Sequence, residues 1–163
     1  MGILRGREKM AELLIVNSFD IAKYFIYLAN ETGSFISNLK LQKFVYYAQA
    51  WHLALHESQL FDDDFEAWVH GPVIPALYHS YKHFGWKPIQ EESVPSLPEA
   101  TLSYLKEVAD EYFACDAYEL EQMTHIEEPW KMARVGLMPD QPSNTIIQKI
   151  WMQEYYKARA EED

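Results

Sequence analysis

The six histidines of this chain are its first candidates for chemistry. His52 and His56 are four residues apart, as are His79 and His83, a spacing that sets two imidazoles on one face of a helix. Two imidazoles so placed could bind a metal ion, but a zinc site needs a third and a fourth ligand. The sequence alone does not place those ligands.

The residues around these histidines do not complete a catalytic motif. Leu53 and Ser80 occupy the position that a glutamate holds in the HExxH motif of zinc proteases. Cys115 could act as a nucleophile beside His125, but it ends an apolar helical stripe, which favours a structural thiol. Phosphate-loop and nucleophile-elbow motifs are absent from the sequence. We therefore expect a non-enzymatic protein without metal or other cofactor, and a histidine-dependent metal hydrolase is the alternative.

Aromatic and polar side chains suit recognition better than catalysis. Most of the aromatic residues are expected in the core, while a few could anchor an interface. Gln49 and His125 are polar groups in apolar surroundings, so each must find a partner, and they could satisfy one another. The candidate partner-binding residues are Tyr47, Gln49, Trp51, His70, Tyr81, His125 and Trp130.

Composition narrows the classes of partner. The chain has 163 residues, 48% of them hydrophobic, and a formal net charge of -11. That charge would repel a phosphate backbone, so we expect no direct binding of nucleic acid, whereas a basic protein is a suitable partner. The simpler alternative is that the charge only keeps the protein in solution. A single cysteine and the lack of a long apolar run predict a cytoplasmic protein without a membrane span.

Local patterns predict helices around one short strand. Ser18 is the expected N-cap of a first helix that ends before Gly33, and Ser37 the N-cap of a second. The second helix, which includes Leu55 on its apolar face, is apolar nearly all round and should lie at the centre of the fold. Residues 65–70 alternate like a strand, and Gly71 ends it.

Later signals continue the helical pattern. Pro75 and Pro98 are suited to the first turns of helices, and Asp116 with Glu119 resembles a capping box. Ser143 or Asn144 is expected to cap a last helix that contains Ile146 and Ile147. The fold class is therefore mainly α: a single compact domain of about six helices with a small β-strand or hairpin near residues 65–70. Residues 1–17 are expected to be an extension, partly vector-derived or disordered, followed by the domain at 18–156 and a charged tail at 157–163.

Three separated blocks resemble the Panacea antitoxin domain, also called the SocA-like domain, of bacterial and phage toxin-antitoxin systems. They are the LKLQK and YYAQxWH helix, the FEAWxxGPVxPxLY strand-turn-helix and the THxExPW segment. The resemblance runs from about Phe19 to Tyr156. It implies a helical, non-enzymatic domain that neutralises a cognate protein toxin by direct binding. For one branch it also implies an adaptor that presents its bound toxin to the ClpXP protease, and an adaptor that delivers a bound toxin or a host protein to ClpXP is the alternative.

The matching positions carry an expected structural role. The turn at Gly71 and Pro72 is expected to fix the strand against the central helix, while most matching aromatics build the core. The structural motif residues are Leu41, Gln42, Lys43, Trp68, Gly71, Pro72, Pro75, Tyr78 and Pro129. The resemblance leaves the toxin, the contact surface and the oligomeric state open.

Overall fold

Seven α-helices and a three-stranded sheet form the domain in the computed structural model, which describes residues 16–162. The mainly helical single domain is confirmed. Most of the predicted extension at 1–17 lies outside the described residues. In chain order the elements are α1 (Ser18–Glu31), α2 (Asn38–His56), β1 (Phe65–Trp68), β2 (Gly71–Val73), α3 (Pro75–Tyr81), a 3-10 turn (Lys82–Phe84), α4 (Glu99–Tyr112), α5 (Ala117–Ile126), α6 (Glu128–Ala133), β3 (Ile146–Ile147) and α7 (Lys149–Glu162).

Capping residues set the starts of the helices. Ser37 accepts a hydrogen bond from the Lys40 amide, and Asp116 and Glu119 form the predicted capping box. The first helix differs by one residue: Asn17, not Ser18, is the N-cap, and its side-chain oxygen accepts from the Phe19 amide at 2.7 Å. Asparagine satisfies the free amides of a first turn as well as serine does.

Helix α2 is enclosed by the other elements. Its buried positions cover every side of the helix, including the polar residues Gln42, Lys43 and Gln49. Near its end the enclosure stops, so Leu55 is 57% exposed instead of lying on the buried face that the spacing predicts. An enclosed helix must satisfy its own polar side chains within the protein.

The sheet contains one hairpin and one added strand. β1 and β2 pair antiparallel across a two-residue turn, with Trp68 opposite Gly71. Gly71 therefore begins a second strand instead of ending the first, because its φ of +117° lets the chain reverse. Ile146 and Ile147 form β3 against β1 and are not helical, since pairing with β1 places Ile147 in the core.

Helix α7 packs along α2 and closes the core. It continues through the predicted boundary at 156–157, and Lys157 forms an ion pair with Glu57 at 2.6 Å. The division into domain and tail stays a prediction. Within residues 16–162, no helix has the length and apolar character that crossing a membrane requires.

A buried amide on α2 fixes the loop that follows the helix. Gln49 donates to the Phe61 carbonyl and accepts from the Leu60 amide, both at 2.7 Å. One side chain thus satisfies a backbone donor and a backbone acceptor that are both buried. It also holds the chain in position to enter β1 four residues later.

We predict that Gln49→Met lowers the free energy of unfolding by about 2 to 3 kcal/mol, because methionine fits the space but leaves two buried backbone groups unpaired. Urea denaturation followed by circular dichroism measures the change. Gln122→Met on the exposed side of α5 is the control and should change stability by less than about 0.5 kcal/mol. Equal effects of the two substitutions would contradict the structural role of Gln49.

Candidate functional site

The side-chain amides of two residues at the start of α2 hold the junction between the hairpin and α3. Gln42 accepts from the Ile74 amide at 3.1 Å and donates to Asn38 at 3.1 Å. Asn38 in turn donates to the Tyr78 carbonyl at 3.0 Å. The chain leaving β2 and the helix that follows are therefore both tied to α2.

A buried carboxylate joins α2 to the C-terminal helix. Glu127, between α5 and α6, accepts hydrogen bonds from the hydroxyls of Tyr47 at 2.8 Å and Tyr156 at 2.7 Å. Arg159 pairs with its second oxygen at 3.2 Å. Burial raises the pKa of Glu127, while the two hydroxyls and Arg159 act in the opposite direction. Three separate segments thus meet at one charged group.

Helix α6 supports the hairpin from the core side. Trp130 donates to the Trp68 carbonyl and Arg134 to the Ala67 carbonyl, both at 2.9 Å. Arg134 also donates to the Gln141 carbonyl at 2.6 Å, which ties down the loop before β3. These two side chains set the position of β1.

His125 stacks on the face of Trp130, with ring centroids 4.0 Å apart and an interplanar angle of 12°. Burial lowers the pKa of His125, which favours the neutral ring in this stack. Gln49 bonds to the loop at Leu60, so the suggested pairing of His125 with Gln49 does not form.

A buried lysine passes over the glycine that opens β2. Lys43 is only 1% exposed. A methyl group added to Gly71 would lie 2.5 Å from Lys43 Cε and 3.2 Å from Thr124 Oγ1. Burial lowers the pKa of Lys43 to about 8, partly offset by the charge of Glu121. The positive φ therefore favours glycine here, and an added methyl group would in addition displace the end of the Lys43 side chain.

The opposite face of the hairpin forms an open groove of about 670 Å³. Phe65 and Ala67 point into the core, so Glu66 and Trp68 point outward by the alternation of a strand. Loop residues 142–144 form part of the lining. The other residues that line the groove are Leu39, Val69, His70, Val73 and Tyr78.

The structure separates the predicted partner-binding residues. Trp51 is half-buried and donates to the Tyr112 hydroxyl at 2.8 Å. His70 is exposed at the hairpin turn, where it contacts Glu121 at 2.9 Å and lines the groove. His125 is half-buried beneath Trp130. The buried members, whose side chains contact the core, are Tyr47, Gln49, Tyr81 and Trp130.

The histidine pairs lie in different surroundings. The rings of His52 and His56 are 4.6 Å apart, and His52 Nδ1 donates to the Ser58 carbonyl at 2.6 Å. His79 and His83 are exposed on α3 and the turn after it. In the part of the chain that the structure describes, no three His, Cys, Asp or Glu side chains converge as metal ligands would.

The structural motif residues build the hairpin junction and the core. Trp68, Pro75 and Tyr78 are half-buried. The fully buried members are Leu41, Gln42, Lys43, Gly71, Pro72 and Pro129.

Sequence reasoning did not single out Glu127 and Arg134, whose residue types are rarely buried, and it did not single out Glu66 as a groove residue. Only Glu66 had a usable signal, since the alternation of β1 places it on the face opposite Phe65. For Glu127 and Arg134 the partners lie far along the chain, so spacing gave no indication.

Fold and site together define a class of protein. It is a helical domain in which side chains of the THxExPW segment hold a β-hairpin in place, and the outer face of that hairpin forms a groove. The family model for the antitoxin SocA-like, Panacea domain matches residues 41–131. This match covers more than half of the chain, and the protein belongs to that family. Membership supports an antitoxin role in general and a toxin as the partner. Comparisons with curated proteins and with solved structures gave no match.

We predict that Gly71→Ala lowers the free energy of unfolding by more than about 2 kcal/mol, since it adds a clash with Lys43 to the strain of a positive φ. Gly136→Ala is the control, because Gly136 also has a positive φ but no atom within 4 Å of an added methyl group. Comparison of the two variants by denaturant unfolding separates the clash with Lys43 from the strain of the positive φ. In a Lys43→Ala background the cost of Gly71→Ala should fall, and an unchanged cost would rule out the clash.

The charge of Lys43 should make the stability of the protein depend on pH. Its pKa is about 8 in the folded protein and 10.5 ordinarily, so the unfolded chain binds more protons between these pH values. Stability should therefore rise with pH from about 8 to 10.5 through this group, while below pH 8 the buried charge destabilises by its full amount.

Lys43→Met should remove that rise and increase the free energy of unfolding at pH 7, by at most about 3 kcal/mol. Unfolding measured at several pH values, with the exposed Lys106→Met as control, tests this. A variant less stable than the parent at pH 7 would show that Lys43 has a stabilising partner instead.

Proposed function

We propose that this protein neutralises a protein toxin in the cytoplasm by binding it directly, with the hairpin groove as the contact surface. The observation that carries the proposal is that the residues of the family's motif lie on two different sides of the hairpin. Its buried residues fix the hairpin from below, while the outer face of the same hairpin stays open as a groove of about 670 Å³.

The lining of the groove has the character of a protein-binding surface. Trp68 and Tyr78 pack edge to face, with ring centroids 5.1 Å apart, and both keep part of their surface accessible. Leu39 and the turn residue Val69 extend the apolar lining. Aromatic side chains surrounded by apolar neighbours are the usual anchors of protein interfaces.

Rigid support from the core favours binding by a preformed surface. Trp130 and Arg134 hold the backbone of β1 directly behind the groove, and Gln42 holds the chain that leaves β2. A surface positioned in this way loses little conformational entropy when a partner binds.

The surroundings of the candidate nucleophile support binding over catalysis. Burial raises the pKa of the Cys115 thiol, which opposes formation of a thiolate. Glu119 adds to this increase, while Lys40 acts in the opposite direction. A binding role uses the groove without requiring a reactive group.

The acidic composition suits a toxin that is basic or mixed in charge. A net charge of -11 attracts a basic partner over several ångströms and increases the rate of encounter. The attraction by net charge acts over the whole surface, whereas the groove supplies the short-range contacts. The long-range attraction and the apolar contacts in the groove can be separated experimentally, because salt screens the attraction and does not screen the apolar contacts.

Co-expression with the product of the adjacent gene tests the proposal. We expect that product to arrest growth alone, and we expect this protein to restore growth and to co-purify with it. Leu39→Lys should abolish rescue, because it places a positive charge in the groove, where it would repel a basic partner, and Leu39 is exposed enough for the lysine to be accommodated. Leu55→Lys, on the same helix but outside the groove, is the matched control and should still rescue.

Two outcomes would overturn the proposal: a harmless adjacent product, or a toxic one that forms no complex with this protein. Loss of rescue by both leucine variants would place the interface elsewhere. Delivery to ClpXP is a finer possibility within the same function. It predicts that the half-life of the bound toxin shortens only in cells that contain ClpX.

A further inference from the structure

Glu66 places a single carboxylate in the apolar groove. One of its oxygens, Oε1, accepts a hydrogen bond from the Trp68 indole at 2.9 Å. Its other oxygen makes no hydrogen bond to a described residue, and none of the ion pairs found within residues 16–162 includes Glu66. The groove therefore contains an acceptor and a negative charge that the described protein does not balance.

Aromatic rings lie next to this carboxylate. The Trp68 indole that donates to Glu66 is also in edge contact with the Tyr78 ring, at an interplanar angle of 67°. The imidazole of His79 lies 6.4 Å from the Trp68 ring. Ring faces attract cations, and most strongly when the ring is that of tryptophan.

We propose that the groove binds an arginine side chain of the toxin, with its guanidinium on the free oxygen of Glu66 and against the ring of Trp68 or Tyr78. This inference rests on the proposed function and names the chemistry of its partner. A groove of about 670 Å³ exceeds one side chain, so the arginine belongs to a short segment whose apolar neighbours contact Leu39 and Val69.

Arginine fits these contacts better than lysine does. Its planar guanidinium can donate to a carboxylate and stack on an aromatic ring at the same time, and it is more weakly hydrated than an ammonium. Glu66 is half-buried and already fixed by Trp68, so it does not have to be ordered when the cation arrives.

A blocked peptide, acetyl-Leu-Arg-Leu-amide, tests the chemistry without the toxin. We expect it to shift the Trp68 indole NMR signal, assigned with Trp68→Phe. The peptide with citrulline in place of arginine has the same shape without the charge, and it should bind at least about fivefold more weakly. Equal binding of the two peptides, equally tight binding of a lysine peptide, or no shift of Trp68 would overturn the arginine assignment.

A second experiment compares how tightly the product of the adjacent gene binds to the parent protein and to Glu66→Gln. The variant keeps an acceptor for Trp68 but loses the charge, so we expect about tenfold weaker binding and a smaller dependence on salt. Glu92→Gln, in the exposed loop after the 3-10 turn, makes the same change of charge outside the groove and should bind like the parent.

The two proposals fail in different ways. If the parent protein neither binds nor rescues, the antitoxin function itself fails. If the parent and Glu66→Gln bind equally well, the function stands and the arginine contact is wrong.

Discussion

The buried carboxylate of Glu127 is the interaction on which the rest of this structure depends. It receives two tyrosine hydroxyls, one from the central helix and one from the C-terminal helix, and it pairs with Arg159. A charge removed from water is tolerated only when such partners surround it, so the three segments must come together for any of them to be satisfied. The network thereby fixes where α6 begins.

Because α6 starts at this carboxylate, Trp130 in the helix and Arg134 at its C-cap are placed beneath the hairpin. Trp130 and Arg134 then bond to successive carbonyls of β1, and Arg134 also ties the loop that leads to β3. On the far side, Gln42 fixes the exit from β2. The groove is thus the outer surface of a hairpin whose backbone is held from below, and its shape follows from buried polar contacts more than from its own side chains.

Local signals in the sequence could predict much of the fold. Ser37 and the pair Asp116 and Glu119 satisfy amides within their own first turns, so their meaning does not depend on distant residues. The β3 strand could not be predicted in this way, because Ile146 and Ile147 suit a helix or a strand until β1 is beside them. The groove was predictable only where β1 alternates, since its loop lining at 142–144 carries no pattern of its own.

The residues that identify the family and the residues proposed to contact a partner differ in how strongly the fold constrains them. Changing a buried polar residue such as Gln42 or Glu127 leaves its partners unpaired, whereas changing a half-buried groove residue such as Glu66 or Val69 leaves the core intact. Groove residues can therefore vary in charge and shape while the hairpin stays in position. The motif that identifies the family therefore reports the scaffold of the hairpin, and the proposed contact surface lies on the other face of that hairpin.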